Sequence, residues 1–135
     1  EKTQKHATHL DLTADSISRF NQPGQLDFGG SEFIPAQTET INPVKKSEED
    51  DYGWWNLDRG TYRADFNEQL NMNESIAFAL LTGHSHAHQA GVITNTRIIT
   101  PDSDQQELYI TFQVPDAGVD IKENARFAHL HLFSR

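Results

Sequence analysis

The sequence IKENARFAHLHLF, residues 121–133, contains the most regular strand pattern in the chain. In an extended strand, successive side chains point to opposite faces. One face would carry Ala128, Leu130 and Leu132, and the other Phe127, His129, His131 and Phe133. Because one face is wholly apolar, we predict that residues 125–133 form a central strand of a β-sheet.

A second central strand is predicted at Ile76–Leu81, where both faces are apolar. Other short strand-like segments recur along the chain, with Gly, Pro or Asp between them. Asp58-Arg59-Gly60 lies between two of these segments and is typical of a hairpin turn. No segment has a sustained helical apolar period, so long helices are not expected. The pattern predicts an all-β sandwich or barrel.

The length of 135 residues indicates a single domain over residues 1–135, since domains commonly run to about 100–200 residues. Residues 1–15 are expected to form a loosely ordered N-terminal segment. Residues 35–53 are expected to form a long charged loop, because Lys45-Lys46 precedes the acidic run Glu48–Asp51. Adjacent carboxylates repel one another, so a solvated loop is favoured over a metal site there.

The composition excludes several classes of protein. Lys and Arg number 11 and Asp and Glu number 20, a net charge of -9, and so acidic a surface repels nucleic acid. The longest purely apolar run, Ile76–Leu81, is far shorter than the about 20 residues that cross a bilayer, so no contact with a membrane is expected. The absence of Cys excludes disulfides and Cys-ligated zinc. Glu1 to Leu10 lacks an apolar leader pattern, which leads us to expect a cytoplasmic location.

The histidines fall into three short stretches: His6 and His9, then His84, His86 and His88, then His129 and His131. If the central stretch formed a strand, its three imidazoles would share one face. Neutral imidazoles in that arrangement suit Zn²⁺ or another transition metal, and the last pair could add a ligand from a neighbouring strand. The alternative is that these are ordinary surface histidines. No role is expected for the first pair, which lies near the predicted loosely ordered terminus.

Four segments have a characteristic order and spacing: QLDFG at 25–29, WNLDRGTY at 55–62, GHSHAHQAG at 83–91 and IKENARFAHL at 121–130. In this order they resemble the motifs of the dUTPase and dCTP deaminase superfamily, especially its deaminase-like branch. The similarity extends from about Gln25 to Phe133. It implies a distorted β-barrel of the β-clip type that assembles as a homotrimer, with sites shared between subunits.

The resemblance also implies which residues bind phosphate. The family motif Gly/Pro-Arg-Ser-Ser-Leu-Ala-x-x-Gly corresponds to residues 83–91, which implies phosphate binding by Gly83, His84 and Ser85. Arg126 or Arg97 would add positive charge. Here His84 replaces the Arg of the motif, and a neutral imidazole holds phosphate less strongly than a guanidinium does.

Glu107 and Asp102 are the candidate catalytic residues. Glu107 falls where the deaminases carry the Glu that handles protons at the cytosine amine. Asp102, or else Asp104, would replace the Asp with which dUTPases activate water. The residues around both positions depart from the family motifs.

Three hypotheses for the function follow. The first is a divergent dCTP deaminase or dUTPase that binds or processes deoxynucleoside triphosphates together with Mg²⁺. The second is a catalytically inactive assembly or interaction module of the same fold, because the motif Arg and the Asp-bearing motif are both lost. The third is a β-barrel that binds Zn²⁺ or another transition metal through His84, His86 and His88.

Overall fold

The computed structural model describes residues 9–102 and 106–135. Within these residues the elements are, in order, β1 (His9–Gln22), β2 (Gln37–Ile41), β3 (Trp54–Leu57), β4 (Gly60–Phe66), β5 (Ile76–Gly83), α1 (Ser85–Gln89), β6 (Ile93–Thr94), β7 (Arg97–Ile99), β8 (Tyr109–Val114), β9 (Val119–Lys122) and β10 (Arg126–Ser134). The helix has 5 residues, so the prediction of an all-β fold is confirmed. No helix in the described ranges is long and apolar enough to cross a membrane.

Strand β1 organises the main sheet because it pairs with three other strands. Its first residues pair antiparallel with β10, and its later residues pair with β4 and β2. The main sheet has the order β6-β8-β4-β1-β10-β5-β7, with β2 attached to β1. The register of β1 shifts after Leu12 and after Ala14, and such irregularities bend a strand. The sheet curls into a half-barrel, which agrees with the predicted barrel-like fold.

A second sheet contains β3 and β9. The hairpin predicted at Asp58-Arg59-Gly60 is therefore wrong: the chain turns there, but β3 pairs with β9, and β4 pairs with β1 and β8. Trp55 accounts for the difference. Its side chain is buried, and its Nε1 donates to the carbonyl oxygen of Ile41 at 2.8 Å. This side chain holds β3 over the core, so β3 does not extend the sheet beside β4.

Phe112 of β8 is among the largest fully buried side chains of the core. The ring of Phe112 stacks with that of Tyr62 at a centroid distance of 5.6 Å and meets the ring of Phe127 edge-on at 4.9 Å. Leu12 and Ile17 of β1 are fully buried in the same cluster. Burial of one large apolar side chain contributes about 1.5–3 kcal/mol. This shared core is what holds β1, β4, β8 and β10 in one curved layer.

Two segments expected to be irregular contain strands. Residues 9–15 belong to β1, so the prediction of a loosely ordered segment over 1–15 is wrong for that part, and residues 1–8 lie outside the described residues. Strand β2 lies within the predicted loop 35–53, and Val44 pairs with Trp54 through an isolated bridge. The sequence does not show these strands as regular alternation of apolar and polar residues. Register shifts interrupt the alternation in β1. Strand β2 is polar and mostly exposed, and its pairing with β1 holds it in place.

Candidate functional site

The chain leaves β5 through a tight turn that contains α1. Gly83 ends β5, and a Cβ atom at that position would lie only 2.6 Å from Nε2 of His88. His84 is the N-cap of α1, since its Nδ1 accepts a hydrogen bond from the N–H of His86 at 2.9 Å. The backbone N–H of His84 donates to the carbonyl oxygen of Phe127 at 2.8 Å. This bond fixes the turn against β10.

The predicted metal set of His84, His86 and His88 does not form one face. That prediction required an extended strand, whereas the chain leaves the strand conformation after Gly83. His84 is buried, while His86 and His88 are exposed. The helical turn is favoured because His84 caps it and Ala87 packs inward. The premise of a shared strand face is therefore wrong.

The structure instead gathers imidazoles around a buried carboxylate, Asp11. Asp11 lies on β1 opposite His129 of β10, and only 2% of the residue is exposed. Its Oδ1 lies 2.9 Å from Nδ1 of His129 and 3.9 Å from Nε2 of His9. Its Oδ2 lies 3.9 Å from Nε2 of His84 and 3.7 Å from Nη1 of Arg126. We refer to these five residues as the Asp11 cluster.

Burial lowers the pKa of two imidazoles in the Asp11 cluster, His84 and His129. It is the largest cause of the lowered pKa of His84 and of His129. Neighbouring histidines lower both pKa values further, and the Asp11 carboxylate only partly offsets this. His131, whose ring lies 5.9 Å from that of His129, has its pKa lowered by burial and by His9. These imidazoles are therefore mostly neutral at neutral pH, the form that can bind a metal ion.

Sequence patterns did not identify His9 or Asp11. The alternation His9-Leu10-Asp11-Leu12 fits a strand, but the segment was expected to be loosely ordered. The partners of Asp11 come from β10 and from the turn after β5, and their proximity depends on the strand register. One sequence feature could have pointed to this site. His9 and Asp11 are two residues apart, as are His129 and His131 of the last strand, so each pair lies on one face of its strand.

Glu107 lies elsewhere, on the wall of a polar cleft of about 480 Å³. The described residues that line this cleft are Asp65, Phe66, Glu68, Gln69, Leu70, Asn71, Gln106, Glu107 and Leu108. Arg63 bridges two of the carboxylates: its Nη2 lies 2.9 Å from Oδ1 of Asp65 and 3.7 Å from Oε2 of Glu107. The Glu107 side chain is 75% exposed and accessible to a ligand.

The other residues proposed near Glu107 are placed differently. Arg97 donates from Nη1 to the backbone carbonyl oxygens of Glu107 at 2.9 Å and Tyr109 at 3.0 Å, so it supports the Glu107 segment and not the α1 turn. Asp102 is exposed in the turn after β7 and is not among the described residues that line the cleft. Its alternative, Asp104, lies outside the described residues. Of the two candidate catalytic residues, Glu107 is thus the one that faces a cleft.

The candidate phosphate-binding residues surround the α1 turn. Arg126 lines a second, mainly apolar cleft of about 370 Å³. Its described lining residues are Trp54, His86, Ala87, Ala90, Val92, Val119, Asp120, Ile121, Lys122, Ala125, Arg126 and Phe127. Ser85 is exposed and the Arg126 side chain is 48% exposed, whereas Gly83 and His84 are buried. Among the described residues the two clefts share none, so one chain does not bring Glu107 and Arg126 into one cavity.

The curled antiparallel half-barrel, with its capped turn between two strands, defines an all-β protein of the barrel-like class. A protein of Methanococcoides burtonii named probable deoxyuridine 5'-triphosphate nucleotidohydrolase is 29% identical over 135 residues, which covers 96% of this chain and 75% of that protein. A protein of Methanosarcina acetivorans with the same name is 26% identical over 133 residues, covering 98% and 74%. No family model matches the chain. The two similarities support a dUTPase-like family, and the deaminase-like branch stays a prediction.

Proposed function

We propose that the chain is a dUTPase-like hydrolase that cleaves a deoxynucleoside triphosphate into the monophosphate and pyrophosphate. The proposal rests on the similarity over 96% of the chain to a protein named probable deoxyuridine 5'-triphosphate nucleotidohydrolase. dUTP is therefore the first substrate to test. The reaction consumes one water molecule and breaks the bond between the first and second phosphates. The chain has to bind the phosphates and to accept a proton from the water.

We assign phosphate binding to Ser85 and Arg126. Both side chains reach solvent, and the Arg126 guanidinium can donate two parallel hydrogen bonds to a phosphate group. The hydrogen bond from His84 to Phe127 connects the start of α1 to the residue that follows Arg126. Gly83 and His84 act in this proposal as positioning residues, because Gly83 permits the close packing of the turn and His84 caps α1.

We assign the role of general base to Glu107. Its exposed carboxylate lies on a cleft wall, where a water molecule can lie between it and a substrate. Arg63, 3.7 Å from the carboxylate, and Arg97, bonded to the Glu107 backbone, restrict its orientation. Asp102 is the rival base.

Mg²⁺ is the cofactor expected with a triphosphate substrate. It prefers oxygen ligands and is commonly held by one or two carboxylates together with phosphate oxygens. In the polar cleft, Asp65 is paired with Arg63, and Glu68 accepts hydrogen bonds from Thr13 at both carboxylate oxygens. Glu107 is the more accessible carboxylate. Because Glu107 is assigned as the base, we expect the ion to arrive with the phosphates and to be held mainly by their oxygens.

We also propose that the working form is a homotrimer. Within one chain, Glu107 and Arg126 line clefts that have no described residue in common. A site that uses both residues would be completed by a second copy of the chain, as the family resemblance implies. A closed ring of identical subunits repeats the same pair of surfaces at every interface.

Product analysis tests the hydrolase proposal. The protein is incubated with dUTP, dCTP and the other deoxynucleoside triphosphates in the presence of Mg²⁺, and the products are separated by chromatography. We expect monophosphate and pyrophosphate from dUTP. E107Q should lower kcat by about 10²–10⁴-fold, the range contributed by general acid–base catalysis. E74Q, at an exposed position outside both clefts, is the matched control and should keep the wild-type rate.

Each other outcome has a distinct meaning. Absence of turnover with every substrate would overturn the hydrolase proposal in favour of a catalytically inactive module. Conversion of dCTP to dUTP, with the triphosphate intact, would identify a deaminase. Loss of activity in D102N while E107Q stays active would reject Glu107 as the base.

A further inference from the structure

We propose that His9, Asp11 and His129 bind a divalent transition-metal ion of the kind that prefers imidazole ligands, such as Zn²⁺, Co²⁺ or Ni²⁺. This site goes beyond the hydrolase proposal and does not depend on it. His9 and Asp11 lie on β1, and His129 lies on the paired strand β10. One ligand atom from each residue lies within 4.8 Å of the others. Two imidazoles and one carboxylate form a donor set that suits such ions.

The spacing of the ligand atoms is close to that around a bound ion. A tetrahedral Zn²⁺ with ligands at about 2.0–2.1 Å places neighbouring ligand atoms about 3.3 Å apart. From Oδ1 of Asp11, the distance to Nδ1 of His129 is 2.9 Å and the distance to Nε2 of His9 is 3.9 Å. These values lie on either side of that spacing. Binding of such an ion would require the His9 imidazole to move closer to Asp11.

The Asp11 carboxylate is oriented for this role. Oδ1 faces the two imidazoles, whereas Oδ2 faces His84 at 3.9 Å and Arg126 at 3.7 Å. Groups that hold the second oxygen of a ligating carboxylate fix its orientation and tune the bound ion. The register of β1 and β10 places Asp11 directly opposite His129. Strand pairing, and not a flexible loop, therefore brings the ligands together.

Burial favours an ion at this position and still allows it to enter. The Asp11 side chain is 3% exposed, and a buried carboxylate is stabilised by a cation that contacts it. The side chains of His9 and His129 are 24% and 20% exposed, which gives the ion a path from solvent.

Zn²⁺ titration of the whole chain tests the site without any nucleotide, so its outcome is separate from that of the hydrolase assay. The protein is first stripped of metal with a chelator. Binding is then followed near neutral pH by isothermal titration calorimetry and by thermal unfolding. We expect one Zn²⁺ per chain and a higher Tm, because an ion that binds only the folded chain stabilises it. Co²⁺ should give a visible absorption band typical of nitrogen and oxygen ligands.

H9Q and H129Q are the informative variants. Both side chains are partly exposed, and both changes leave Asp11 in place. Each should weaken Zn²⁺ binding about 100-fold, since loss of even a supporting partner weakens metal binding about 10–100-fold. H88Q removes an exposed histidine outside the group and is the matched control. It should bind Zn²⁺ as tightly as the wild type does.

Two results would overturn the proposal. If the wild-type chain shows no saturable Zn²⁺ binding, the Asp11 cluster serves only to surround a buried carboxylate with polar partners. If H88Q loses affinity while H9Q retains it, the ion belongs to the exposed histidines of the α1 turn.

Discussion

Gly118 occupies a backbone conformation that few other residue types adopt. Its φ is +77°, and its N–H donates to the carbonyl oxygen of Pro115 at 2.8 Å, which closes the turn between β8 and β9. A Cβ atom at this position would lie 2.9 Å from the carbonyl oxygen of Leu57 in β3. Glycine is therefore required both by the conformation and by the space available.

Gly118→Ala should lower the free energy of unfolding by about 1–3 kcal/mol, because it adds backbone strain and a clash with β3. Urea unfolding followed by tryptophan fluorescence, to which Trp54 and the buried Trp55 both contribute, measures the change. Gly29→Ala is the control, since a Cβ atom there has no neighbour within 4 Å. Its effect should stay within about 0.5 kcal/mol. Equal losses at the two positions would contradict the requirement for glycine at 118.

Strand β1 is held by a side chain as well as by its neighbouring strands. Glu68, in the segment after β4, accepts hydrogen bonds from the N–H and the hydroxyl of Thr13, each at 2.8 Å. Thr13 lies where the register between β1 and β10 shifts. A residue at such a shift loses a regular backbone partner. The Glu68 carboxylate supplies the acceptor that the Thr13 N–H requires.

Glu68→Ala should lower the free energy of unfolding by about 1.5–3 kcal/mol. The substitution removes two hydrogen bonds to a carboxylate and leaves the partly buried N–H of Thr13 without an acceptor. Glu74→Ala, at an exposed position in the same segment, is the control and should change stability by less than about 0.5 kcal/mol. Hydrogen exchange locates the effect. The Thr13 amide should exchange faster in the Glu68 variant, and unchanged exchange there would contradict the anchoring role.

The most deeply buried strands could be predicted from sequence, whereas the exposed strand β2 could not. The strands predicted at 125–133 and at Ile76–Leu81 correspond to β10 and β5. Both were predictable because the side chains that the core buries are apolar and alternate along the strand. Strand β2 carries no such pattern, since backbone bonding to β1 holds its polar residues. The Asp11 cluster lay beyond prediction for a related reason. Its geometry depends on the register of strands distant in sequence and on a capped turn in place of a strand.

The proposed general base and the proposed phosphate-binding Arg lie in different clefts and do not converge on one cavity of a single chain. Glu107 lines the polar cleft, and Arg126 lines the cleft beside α1. If neighbouring copies complete the site, two different defective chains can make a functional site together. A site formed within one chain would not allow this. The activity of mixed assemblies therefore distinguishes a site shared between subunits from a site formed within one chain.

E107Q and R126Q should each be strongly impaired alone and should complement each other when mixed. Equal amounts, dissociated and allowed to reassemble, should recover about one quarter of the wild-type activity, the fraction of interfaces that receive both intact residues. Light scattering of the wild-type protein should give the mass of a trimer. A mixture that forms mixed trimers but stays inactive would show that both residues serve a site within one chain.

The pairing of β1 with β10 has a consequence for synthesis. Leu10 pairs with Leu130 in the middle of the sheet, yet the ribosome makes β1 long before β10. During that interval the edge of β1 that later binds β10 has no partner within its own chain. Contacts between residues so far apart form slowly, and open strand edges attract other chains. Chaperone access and the rate of translation should therefore influence the yield of folded protein more strongly than its final stability does.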